Sequence, residues 1–234
     1  MYPHRIRLRG PWECHPLARR GPGELPPPLR MTLPCRWAEG GLTGFAGRAR
    51  FTRRFGYPGR IDDFERVWLT VAGVDSSGEL SLNGSAVGRL GASDPAFEAE
   101  ITPLLRPRNE LVVDVEGDEQ GGLYGEVVLE VRCQAFLRNI RVAFANGALQ
   151  IEGIVAGCAD RPLELYAVLG RRNVAYSTVT PSPAGSSFHM SGEIPSLDAD
   201  DGPPVFKLDL VNGASVWYTF EQVCALPVRE RPQS

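Results

Sequence analysis

Three histidines, His4, His15 and His189, and five cysteines, Cys14, Cys35, Cys133, Cys158 and Cys224, are the residues best suited to bind a metal or attack a substrate. Only Cys14 and His15 are neighbours, and adjacent residues on a strand point to opposite faces. That pair does not chelate one ion, and no second ligand pair completes a zinc site. An odd number of cysteines without short spacings argues against a disulfide framework. The run Asp198-Ala199-Asp200-Asp201-Gly202 offers oxygens to calcium but lacks the length and closing glutamate of an EF-hand loop, so it reads as a solvated acidic loop. Nucleophile-elbow and phosphate-loop motifs are absent. No catalytic residue, metal ligand or cofactor is assigned on these grounds.

Composition narrows the partners. The 234 residues are 43% hydrophobic and 23% charged, with a net charge of −3, which gives no reason to expect a nucleic acid or an anionic membrane. No apolar stretch reaches membrane-spanning length, and Met1 to Arg7 lacks the apolar core of a signal peptide. A reduced, cytoplasmic protein of one or two domains is the expectation. Oligomeric state is not legible.

The elements that must position any site are strands. With 26 Gly and 20 Pro, long helices have little room. Val67, Leu69 and Val71 alternate with polar or amphipathic residues, as do Leu111, Val113 and Val115, then Val127, Leu129 and Val131. Phe206, Leu208 and Leu210 lead into Val216, Tyr218 and Phe220. Asn83-Gly84, Asn146-Gly147 and Asn212-Gly213 each predict a hairpin, because both residues tolerate the positive φ of a type I′ turn. Many short strands with tight turns give an all-β fold of sandwich type. The proline-rich opening to Pro34 is expected to wrap the surface in extended form after a strand near Ile6 to Leu8. A boundary falls near Cys133 to Leu137, and residues 229–234 form a polar tail.

Met31 to Arg132 resembles the sugar-binding jelly-roll domain that opens family 2 glycoside hydrolases such as β-galactosidases and β-glucuronidases. The resemblance is carried in order by Leu33-Pro34-Cys35-Arg36-Trp37; by Gly47, Phe51, Arg53 and Phe55; and by Val67-Trp68-Leu69 with Gly73-Val74-Asp75. It continues through Leu82-Asn83-Gly84 and Gly88, then Pro95-Ala96-Phe97-Glu98 with Ile101-Thr102, Leu105, Asn109, Leu111 and Val113. Gly121-Gly122-Leu123-Tyr124-Gly125-Glu126-Val127 closes it. Arg50 departs from the family's aromatic residue. Each piece also has a structural reading: Phe97 plugs the core, Thr102 ends a strand or caps a helical turn, and Asn109 holds a turn. Ala135 to Val228 is similar to the immunoglobulin-like sandwich that follows in those enzymes, through Ile194-Pro195-Ser196-Leu197 and Pro204-Val205-Phe206-Lys207-Leu208-Asp209-Leu210, with Asp198 in a tryptophan place. The implied architecture is a galactose-binding-like jelly roll over residues 1–133 and an immunoglobulin-like sandwich over 134–228.

In that family the catalytic carboxylates sit on a (β/α)₈ barrel of roughly 250 residues, and no residues remain here for one. Asn109-Glu110 superficially matches the barrel's asparagine-glutamate motif but lies inside a strand pattern, so Glu110 is not assigned catalysis. The resemblance places two loops, Ala38 to Ala46 and Asp118 to Glu126, beside the enzymes' active site. It makes Trp37, Tyr124 and Glu126 the carbohydrate-binding candidates, set against core or rim packing for the two aromatics and simple solvation for Glu126. Gly125 takes the place of a family arginine. The expectation is a non-catalytic carbohydrate-binding or accessory protein, its partner a glycan. The alternatives are one subunit of a split glycosidase whose barrel is a separate chain, or an interaction module that has lost sugar binding.

Overall fold

A computed structural model describes residues 3–74, 77–91, 96–145, 147–195 and 203–224. Nineteen strands and one 3₁₀ turn, Thr102–Leu104, make up its regular structure, and the fold is all-β. The chain divides into two compact units, Arg5–Val131 and Arg132–Ser234 with Met1–His4. The acidic run from Asp198, the tail at 229–234, Asp75, Pro95 and Asn146 lie outside the described residues.

Two large sheets and one short two-stranded sheet build the first unit. One large sheet has the order β1 (His4–Arg7), β12 (Val127–Cys133), β6 (Glu65–Val71), β9 (Phe97–Glu100). The other runs β3 (Leu29–Met31), β2 (Trp12–Arg19), β5 (Gly47–Gly56), β10 (Arg108–Gly117), β7 (Ser77–Leu82), β8 (Ser85–Gly91). The period of two lines their inner faces: Val67, Leu69, Val71, Leu111, Val113 and Val115 are all fully buried. β12 departs from simple alternation, because all seven of its residues are buried.

The opening segment runs irregular and exposed only over residues 20–28; before that it is a core strand. Trp12, Cys14 and Pro16 alternate inward along β2, which pairs with β5 in the middle of the large sheet. Trp12 is fully buried and donates its indole N–H to the Leu8 carbonyl at 2.6 Å. The surrounding prolines hid an ordinary alternating strand. Cys14 faces in while His15 faces out, so the pair is split across the strand. Burial, with Cys35 adding a smaller repulsion, pushes the Cys14 thiol up to about 12.

Asn83 (φ 54°) and Gly84 (φ 83°) form the turn between β7 and β8 with the positive φ values that a type I′ turn requires. Asn83 also ties the hairpin down. Its amide donates to Leu104 O at 2.8 Å and Asn109 Oδ1 at 3.0 Å, and its Oδ1 accepts from Glu110 N at 2.9 Å. Asn109 is buried and holds its own turn through two bonds to the Arg106 backbone. Thr102 opens the 3₁₀ turn and accepts the Val67 N–H at 2.8 Å. Phe97 is half-buried over Gly88 rather than a fully enclosed core plug.

The second unit pairs a three-stranded sheet, β13 (Ala135–Ala145), β14 (Ala148–Gly157), β17 (Ser186–Glu193), with a four-stranded one. The latter has the order β16 (Arg172–Val179), β15 (Leu163–Leu169), β18 (Val205–Asn212), β19 (Ser215–Val223). Its core includes Leu149, Ile151, Leu165, Phe206, Leu208 and Leu210. β19 keeps the period of two but in the opposite phase to the one predicted: Trp217 and Thr219 are buried, Val216 is exposed, and Tyr218 and Phe220 are half-buried.

Candidate functional site

Ala38 to Ala46 and Asp118 to Glu126 are built into one edge of the first unit. β4 (Cys35–Arg36) and β11 (Gly122–Leu123) pair antiparallel, with Gly122 opposite Arg36 and Leu123 opposite Cys35. Gly122 has a φ of 147°, and a Cβ there would meet the Arg36 Cα at 2.7 Å, so the close approach needs glycine. Trp37 N donates to Gly121 O at 2.8 Å, and the Arg36 guanidinium bonds to Gln120 O. Within the first loop, Leu42 N returns to Trp37 O at 2.8 Å.

Alternation sorts the side chains of this edge. Cys35 and Trp37 turn inward, whereas Arg36 turns out. Trp37 is fully buried, stacked on Phe51 with centroids 5.8 Å apart and edge-on to Phe45 at 5.4 Å. Both ring faces belong to the core, so the indole offers none to a sugar. This corrects Trp37 as a stacking residue; its part is to anchor the loop. Its Nε1 has no hydrogen-bond partner among the described residues and lies against the Cα atoms of Gly117 and Gly121.

Tyr124 is 37% exposed. The Arg36 guanidinium carbon stands 4.6 Å over its ring, and its hydroxyl donates to Val74 O at 3.3 Å. Gly73 packs against the ring, where a Cβ would come within 3.3 Å. Glu126 joins a different set of contacts: Arg7 Nε lies 3.1 Å and Arg5 Nη2 3.9 Å from its carboxylate. Arg5 also reaches Glu130 at 3.0 Å. The edge therefore holds two exposed groups, Arg36 with Tyr124 and Glu126 with Arg5 and Arg7. The three predicted residues do not meet in one cluster. Arg36 was missed, although its position between two inward residues is the signal that finds it.

Glu110 sits on the outer face of β10 in an ion pair with Arg54 at 3.0 Å. No group of three or more His, Cys, Asp or Glu among the described residues is placed to hold a metal ion. All five cysteines are free thiols. Among the described residues no helix is long and apolar enough to cross a membrane.

No protein-family model and no curated protein sequence matches the chain. Solved structures do match. A β-galactosidase candidate from Bacteroides fragilis superimposes with a TM-score of 0.72 at 16% identity, over 94% of this chain and 40% of that one. A Bifidobacterium dentium β-glucuronidase, solved with coumarin-3-O-glucuronide, gives 0.71 at 17% identity, over 94% and 48%. A glycosyl hydrolase family 2 member from Bacteroides cellulosilyticus gives 0.69 at 16% identity, over 93% and 35%. The chain spans less than half the length of these structures. At such identities the likeness is one of fold, and the described residues contain strands and a single 3₁₀ turn, with no (β/α)₈ barrel. The chain has the two-sandwich fold of part of the family 2 glycoside hydrolases.

Proposed function

We propose that the chain is a non-catalytic carbohydrate-binding or accessory module, and that the edge formed by residues 35–46 and 118–126 is its sugar-facing surface. The observation that carries the reading is the pairing of β4 with β11, which fuses two loops into one rigid edge. A preformed edge loses little entropy on meeting a ligand. Tyr124 supplies a part-exposed ring braced by Arg36, and Glu126 supplies a carboxylate acceptor for hydroxyl groups, fixed by Arg5 and Arg7. The partner in this reading is a glycan.

The test is a glycan-array screen of the purified protein, followed by calorimetry on any hit with Tyr124→Ala and Glu126→Gln. Saturable binding weakened at least tenfold by either substitution supports the reading. A silent array refutes it and turns attention to co-purification with a chain bearing the barrel.

A further inference from the structure

The outer face of the large sheet holds a second feature, independent of the loop edge. A cavity of about 450 Å³ opens over β5, β10, β7 and β8. Strand register places Arg50, Asp114, Glu79 and Arg89 side by side in one row across the four strands. Asp114 and Glu79 are thus direct cross-strand neighbours, and like charges in that position oppose folding. Arginines answer the repulsion. Arg50 grips Asp114 through Nε (2.7 Å) and Nη2 (2.9 Å). Arg48 Nη2 lies 2.8 Å from Asp114 and 3.8 Å from Glu79, while Arg89 Nη2 lies 3.2 Å from Glu79. Next to this row come Val112, Ser81 and Ala86, whose short side chains leave the floor open.

The chemistry of the lining selects a ligand. Three guanidinium groups face two carboxylates, which leaves one positive charge over. Arg50 gives Nε and Nη2 to Asp114, so its guanidinium is held in a fixed orientation at the wall of the trough. Ser81 and Glu79 add groups that accept from hydroxyls, and Val112 and Ala86 provide an apolar floor. The volume lies within the range of about 300–1,000 Å³ typical of small-molecule sites. One negative charge, many hydroxyls and one apolar face describe a sugar acid. We propose that this trough binds a carboxylate-bearing saccharide of one or two rings, its carboxylate meeting Arg48 and Arg50 and its hydroxyls meeting Glu79, Ser81 and Arg89. The site stands apart from the loop edge and does not depend on it.

The probes are D-glucuronate and D-galacturonate, with D-glucose, D-galactose and inorganic sulfate as controls, titrated by NMR and calorimetry against the full chain. Saturable uronate binding, at least tenfold tighter than the neutral sugars and not displaced by equimolar sulfate, is the expected result. Arg50→Gln removes the fork and Ala86→Trp fills the floor without touching a charge; each should weaken binding at least tenfold. Tyr124→Ala should leave uronate binding within twofold. Equal binding of glucose and glucuronate, full displacement by sulfate, indifference to Ala86→Trp, or no uronate binding at millimolar concentration would each overturn the proposal. Loss in Tyr124→Ala alone would overturn it too, while leaving the loop edge in place as the sugar-binding surface.

Discussion

Replacing Trp37 by alanine separates a packing role from a binding one. A buried aromatic of this size hides roughly 150–250 Å². At about 25 cal/mol per Å², the transfer free energy is about 4–6 kcal/mol, and alanine keeps part of that contact. Complete burial against Phe51 and Phe45 leaves the neighbours unable to collapse fully, so a loss of about 3–5 kcal/mol is expected for Trp37→Ala. Phenylalanine is the informative comparison. It retains most of the buried area and removes an indole N–H that lacks a partner, whose burial itself costs about 1–3 kcal/mol. Trp37→Phe should therefore cost about 1 kcal/mol or less. Urea unfolding followed by far-ultraviolet circular dichroism reads both, provided the transitions of the two units are fitted separately. The reasoning fails if Trp37→Ala shifts stability by less than about 1 kcal/mol. Intact stability together with lost sugar binding would place the indole at the ligand instead.

Two further outcomes follow from the same side-chain environments. Burial pushes the Asp114 carboxyl up, but hydrogen bonds from Arg50 and Arg48 outweigh it and hold the group below the usual carboxylate range. A depressed folded value contributes stability above the unfolded value, about pH 4, that is lost as pH falls through the folded one. Unfolding measured from pH 6 to pH 2.5 should therefore show Asp114→Asn less stable than wild type at pH 6, with the gap narrowing towards pH 2.5; a constant gap refutes the linkage. Among the thiols, Cys158 is exposed while Cys14 is buried with its thiol raised to about 12. Iodoacetamide followed by peptide mass mapping should modify Cys158 in the native protein and leave Cys14 intact until denaturant is added. Equal labelling of the two would contradict the placement of β2.

How far the sequence reaches depends on whether a feature is local or set by what crosses it. The Asn83-Gly84 hairpin is local: both residues take the φ values their chemistry permits, and the turn forms where the dipeptide stands. The strand at 65–71 is nearly so, because one buried face produces strict alternation. β2 was obscured because Pro11 and Pro16 resemble loop punctuation, although Trp12, Cys14 and Pro16 already carry the strand period. Trp37 shows the harder limit. Its type and place admit both a stacking platform and a core anchor, with packing the more common use of a tryptophan. What decides between them is Phe45 and Phe51, which close on the ring from elsewhere in the chain. The row of Arg50, Asp114, Glu79 and Arg89 was beyond reach for the same reason, since only the register of four strands assembles it. Its trace in the sequence is one departure, an arginine at position 50 where the resembled family often has an aromatic residue. Register sets Arg50 between Asp114 on β10 and His15 on β2. Of the two, Asp114 engages it, through the paired bonds to Nε and Nη2. The departure at position 50 therefore carries a specific contact, one of the ion pairs that offset the repulsion between Asp114 and Glu79.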